Sequence, residues 1–192
     1  MKATEILMQE HRLIEQVLDC LEETAGRLED GEEINPDFFI DAAEFVAGFA
    51  DGSHHRKEEN ILFVAMTARD MPADRGPVAV MRYEHEEGRR FTAGFRSAAE
   101  QMKTGDTGAS VDLIRNVFDY VNLLREHIFK EDNVLFPMAE QVLAADEMQQ
   151  VSGEFERILA EDEKSGEFAK YQALVDKLNT YLNTESGDRA MP

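Results

Sequence analysis

The pattern HxxKExNxLF occurs twice in this chain, as HHRKEENILF from His54 to Phe63 and as HIFKEDNVLF from His127 to Phe136. Each copy sets a histidine and a glutamate four residues apart, His54 with Glu58 and His127 with Glu131. On a helix that spacing puts both side chains on one stripe, one turn apart. Leu62 and Leu135 continue the two stripes as apolar positions four residues on. An apolar continuation directs the polar pair toward a helix-packed core rather than toward water.

The repeat extends beyond ten residues. MQEH ends on His11 and MRYEH ends on His85, so EH and HxxKE alternate along the chain. His11 and His85 are 74 positions apart, and His54 and His127 are 73 apart. That near-constant offset reads as a duplicated helical hairpin. Period-3.6 patterns dominate and alternation is rare, so no strand is expected. Four helices are expected over residues 3–28, 36–68, 75–103 and 110–143, separated by EDGEEINP, DMPADRGP and TGDTGAS, whose glycines and prolines break helices. Short connections make this an all-α, up-down-up-down four-helix bundle over residues 1–143. Residues 144–184 hold two shorter amphipathic segments, a C-terminal helical extension packed on or beside the bundle, and 185–192 read as a frayed tail. Pro137 falls inside the fourth helix and is expected to bend it.

Counted from the connecting loops, at a fixed rise per residue, His11 stands level with His54 and His85 with His127. All four helices thus bring a histidine to one layer. A lone HxxxE on an acidic helix is ordinarily an exposed pair, and it is the matched second copy that turns the reading. Buried carboxylates and imidazoles without partners are costly, and a pair of metal ions resolves the cost. Imidazole nitrogen and carboxylate oxygen suit iron, manganese or zinc. The candidate ligands are His11, His54, Glu58, His85, His127 and Glu131. Each ion takes two imidazoles, and Glu58 and Glu131 bridge, which leaves room for an oxo or hydroxo bridge and a small exogenous ligand.

His55 and Glu59 form a second HxxxE, one residue out of step. One step rotates a helical side chain by about 100°, so both sets cannot face one point. The internal repeat favours His54 and Glu58, with His55 and Glu59 as the alternative register or as additional or neighbouring groups. Tyr83 and Tyr120 are candidate extra oxygen ligands. Glu10 and Glu84 could orient neighbours, though surface placement is their default, and Asp119 is a candidate polar group near the site.

Acidic residues number 40 against 20 basic, a net charge of −20. No basic stripe is present to neutralise phosphates, which argues against nucleic acid and against anionic membrane surfaces, while the approach of cations is favoured. The single cysteine, Cys20, provides neither a disulfide framework nor a thiolate cluster and is expected to be buried and inert. No apolar run reaches membrane length and the N-terminus lacks the apolar core of a signal peptide, so a cytoplasmic location is expected.

The order His11, His54xxxGlu58, His85, His127xxxGlu131, with LF after each carboxylate, resembles the hemerythrin-like (HHE cation-binding) proteins over residues 1–143. The resemblance implies a non-haem di-iron centre inside a four-helix bundle. It implies one of several roles: binding or sensing O2 or NO, handling peroxide or NO, handling iron, or repairing damaged iron centres. Enzyme and binding module both remain open, and no protein partner is indicated. Oxygen-carrying hemerythrin has an HxxxH on its third helix, where this chain follows His85 with Gly88 and Arg89. It also has an aspartate in fifth place after the fourth-helix histidine, where this chain offers Glu131 in fourth. A missing imidazole opens coordination positions or invites another ligand, which weighs against simple oxygen carriage. The same set resembles the nitric-oxide-stress iron repair proteins, without their cysteine-bearing N-terminal domain.

Overall fold

The computed structural model describes residues 1–69 and 71–187, with side chains to 182. All regular structure among them is helical. Helix α1 is Ala3–Glu29, α2 covers residues 37–67, α3 is Gly76–Lys103, α4 covers 110–142, α5 is Ala145–Ser165 and α6 is Glu167–Gly187. The first four lie within a few residues of the expected spans. The two segments of the extension are full helices, longer than expected. The frayed tail expected over 185–192 lies mostly outside the described residues, and 185–187 belong to the backbone of α6.

Two of the four long helices are not uniform. In α2, Val46–His55 and Glu58–Leu62 are wound as π-helix, with α-helix on either side. In α4 the π turn Glu131–Leu135 separates Ser110–Lys130 from Phe136–Val142. The turns Glu58–Leu62 and Glu131–Leu135 occupy the same place in the two copies of the repeat. A π turn spreads one extra residue over the helix circumference, and such turns concentrate at functional sites.

Apolar side chains form two cores. One gathers Leu18 and Leu21 of α1, Phe39 and Phe45 of α2, Phe95 of α3 and Val121 of α4. The other gathers Leu7, Phe63, Met81, Leu135 and Phe136 with Phe155 of α5. The histidines and glutamates of the repeat lie in the layer between them. Helices α5 and α6 pack against α1 and α2, so the extension covers the first hairpin. Gly48 permits this docking, since any Cβ there would sit 2.0 Å from the Tyr171 hydroxyl of α6. Gly31, at φ 89°, ends α1 in the left-handed conformation that glycine adopts without strain. No described helix is long and apolar enough to cross a membrane.

Candidate metal centre

Seven side chains able to ligate a metal occupy the polar layer, and all are buried: His11, His54, His55, Glu58, His85, His127 and Glu131. They form two clusters whose ligand atoms lie within 4.8 Å of one another. One comprises His11, His54, Glu58 and Glu131. The other comprises His55, His85, His127 and Glu58. Within each, two imidazoles approach nitrogen to nitrogen, His11 Nε2 to His54 Nε2 at 3.1 Å and His85 Nε2 to His127 Nε2 at 3.1 Å. Glu131 reaches both sides, with Oε2 3.2 Å from His11 Nε2 and Oε1 3.3 Å from His127 Nε2. Glu58 Oε2 stands 3.6 Å from His54 Nε2 and 3.5 Å from His85 Nε2.

His54 and His55 both enter the centre, at different places. His54 faces His11, while His55 stacks on His85 with ring centroids 3.8 Å apart. The rotation argument is sound for one target, but the centre has two. The π winding of Val46–His55 turns the two neighbours toward separate clusters. His55 thus adds a third imidazole to the cluster of His85 and His127 from α2, which the spacing in α3 could not reveal. Glu59 does not join the clusters. Tyr83 is 63% exposed and faces away from the centre. Tyr120 is buried in neither cluster and lines a cavity beside His55, its hydroxyl without a hydrogen-bond partner among the described residues. Asp119 is exposed.

Each histidine is held from behind through Nδ1 by a carboxylate. His11 faces Asp132 at 2.7 Å, His54 faces Glu10 at 2.9 Å, His85 faces Glu59 at 2.7 Å and His127 faces Glu84 at 2.9 Å. His55 has the longest of these contacts, 3.4 Å to Asp51. A carboxylate there holds the proton on Nδ1 and leaves Nε2 its lone pair, the arrangement metal-bound histidines show. Each carboxylate meets a cation: Arg12 on Asp132, Lys57 on Glu10, Lys130 on Glu84, and Arg89 shared by Glu59 and Asp51. Phe136 stacks on His11 and Phe63 on His85, ring planes 13° and 16° apart.

The repeat therefore interlocks. The acid just after each central glutamate, Glu59 or Asp132, serves a histidine of the other half. Glu59 takes the neighbouring role expected as an option for it, whereas Asp132 went unseen because the change from Glu to Asp makes the position look variable. Asp132 also fills the fifth place after His127, and it turns outward to His11. Glu10 and Glu84 depart from their expected surface placement because each accepts from a buried imidazole.

The electrostatics call for cations. All four oxygens of Glu58 and Glu131 are buried with no hydrogen-bond partner among the described residues. Burial and the charge of Glu131 push the Glu58 carboxyl well above its usual range. Burial acts the same way on Glu131 but is outweighed by His127 and His11, which hold it well below. Burial is likewise outweighed at His11, by Asp132 and Glu131, and at His127, by Glu131 and Glu84. His11 is raised and His127 reaches about 9. Burial keeps the others neutral, joined by the charge of His11 at His54 and of His85 at His55, which falls to about 3. His85 is lowered by burial despite Glu59. Imidazole nitrogens converging on buried carboxylates that lack hydrogen-bond partners among the described residues fit metal cations, and the nitrogen and oxygen donors suit iron.

Residues 2–139 match the family model of the hemerythrin HHE cation binding domain. An uncharacterized protein of Mycobacterium tuberculosis is 27% identical over 92% of this chain and 67% of its own length. The iron-sulfur cluster repair protein YtfE of Edwardsiella ictaluri is 34% identical over 45% of this chain, and that of Dickeya chrysanthemi 30% over 45%. The chain spans about 40% of the length of either YtfE protein. No solved structure matches significantly. The match over most of the chain agrees with the buried histidine and glutamate clusters: the chain belongs to the hemerythrin HHE cation-binding domain family.

Proposed function

We propose that this protein is a non-haem di-iron binding protein whose metal pair takes a small ligand such as O2 or NO. The observation that carries the reading is the pair Glu58 and Glu131, fully buried, without hydrogen-bond partners among the described residues and facing five imidazoles. His11 and His54 would hold one ion and His55, His85 and His127 the other, with Glu58 and Glu131 between them. Residues 1–143 act as an up-down-up-down four-helix bundle that carries the centre, and 144–184 as an extension. Bound iron would supply an open coordination position and a redox couple to the ligand. The protein's own groups do the rest: the outer carboxylates fix each imidazole, and the two apolar cores keep bulk water out.

A cavity of about 370 Å³ reaches His55 and gives a small ligand a way in. Ala43, Val46, Ala47 and Gly88 give it a largely apolar wall, suited to a neutral molecule. Tyr120 lines the same cavity beside Gly88. Cys20, buried with its thiol pushed up to about 11 by burial and nearby acids, suits the reducing cytoplasm.

The likeness to proteins named for iron-sulfur cluster repair favours a second reading, in which the centre delivers iron to a damaged cluster; decomposition of peroxide or NO is the other enzymatic alternative. Anaerobic purification, metal analysis and absorption spectra before and after O2 and NO test the first reading. Two irons per chain and a reversible spectral change are expected. Bound iron indifferent to both gases, but transferred to a cluster-free iron–sulfur acceptor, would establish the second reading instead.

A further inference from the structure

Glu10 and Glu84 occupy matched places in the two halves, and each holds Nδ1 of the histidine on the next helix at 2.9 Å. Behind them the halves differ. Lys130, paired with Glu84, keeps 36% of its side chain exposed, whereas Lys57, paired with Glu10 at 2.9 Å, has none exposed. A buried ammonium is costly unless all three N–H groups are used. Lys57 donates to the Ser53 carbonyl at 3.1 Å and to Ser53 Oγ at 3.0 Å, and Glu10 takes the third. Ser53 Oγ in turn donates to Asp162 Oδ2 at 2.8 Å. Asp162 lies on α5, beyond the residues that match the family. The place of Ser53 in the second half is taken by Glu126, which is exposed.

We infer that Asp162 is a positioning residue for the metal centre, acting from the C-terminal extension on His54 through Ser53, Lys57 and Glu10. A serine hydroxyl is a rotor. With Asp162 taking its proton, its lone pair is presented to Lys57. Without Asp162 the proton has no fixed acceptor, the lone pair is no longer fixed on Lys57, and the hold on His54 slackens. Outer partners of this kind set the orientation and basicity of a ligating imidazole. The extension thus makes a duplicated centre asymmetric, tightening the His54 side and leaving the His127 side to a solvent-exposed lysine.

The inference rests on the proposed metal centre, and the test keeps the two apart. In full-length, metal-free protein, the Nδ1–H proton resonance of His54 is expected to exchange faster in Asp162→Ala than in wild type, with that of His127 unchanged. Asp162→Asn, whose amide oxygen accepts the same hydrogen bond, should restore it. In a cobalt(II) titration against a chelator, Asp162→Ala should weaken one of two binding steps about 10-fold and leave the other. Ser53→Ala breaks the link from the α2 side and should match Asp162→Ala, which keeps the test usable if that variant folds poorly. Unchanged His54 exchange in both variants overturns the inference, as does equal weakening of both steps. A chain that binds no cobalt would sink the metal centre, while the exchange measurement still decides on Asp162.

Discussion

Glu58 and Glu131 have the same residue type, full burial and matched places in the repeat, yet their neighbours set them in opposite states. Burial and the charge of Glu131 keep a proton on Glu58. Glu131 sits between His11 and His127, both raised, and carries the charge that balances them. Replacement by glutamine should separate the two roles. In metal-free protein Glu58→Gln swaps a protonated carboxyl for an amide of the same shape and should cost less than about 1 kcal/mol. Glu131→Gln strips the counter-charge from two buried imidazoles and should cost about 3–5 kcal/mol, the range for breaking a buried ion pair from one side. Both variants should lose metal. Urea denaturation of metal-free protein at neutral pH checks the order, and a larger loss in Glu58→Gln would put the proton on the wrong carboxylate.

The π turns decide what each element can present. Pro137 is the expected cause of a bend in the fourth helix, but the first copy of the repeat makes the same turn over Glu58–Leu62 with Val64 in the matching place. The widened turn therefore belongs to the ExNxL sequence and its buried glutamate, and Pro137 occupies a place where its missing N–H costs little. Pro137→Ala should change stability by less than about 1 kcal/mol and leave metal stoichiometry as in wild type, by denaturant melts and metal analysis. Loss of metal would make the proline a cause. The same turns mark how far the sequence could be read. Helix spans, the layer of histidines and the residues His11, His54, Glu58, His85, His127 and Glu131 are legible because each leaves a 3.6-residue pattern or a repeat. An i→i+5 winding leaves no such trace. A ruler of fixed rotation per residue therefore set His55 against His54, where the wider helix delivers both. Tyr83 shows the converse: a tyrosine beside an EH pair has the right chemistry, but its place on α3 turns it outward.

At the scale of the whole molecule, the protons of the centre make stability depend on pH in a way that metal should alter. In metal-free protein at pH between about 4.5 and 6.5, the unfolded chain protonates its five histidines. The folded chain then holds protons on His11, His127 and Glu58, while His54, His55 and His85 stay neutral. The unfolded state binds more protons there, so stability rises with pH. Below that window Asp51 and Glu59, whose pKa values fall to about 2 because His55, His85 and Arg89 outweigh burial, steepen the acid loss. Above about 6.5 the unfolded histidines have lost their protons while His127 keeps its own to about 9, so the sign reverses and stability declines. The metal-free protein should be most stable near pH 6.5. Metal competes with the protons on His11, His127 and Glu58, so the loaded protein should lose the alkaline decline and stay level from pH 7 to 9. Denaturant melts of both forms from pH 4 to 9 measure the two curves. A metal-free profile that keeps rising through pH 9 would show that the duplicated histidines carry no protons for a metal to displace.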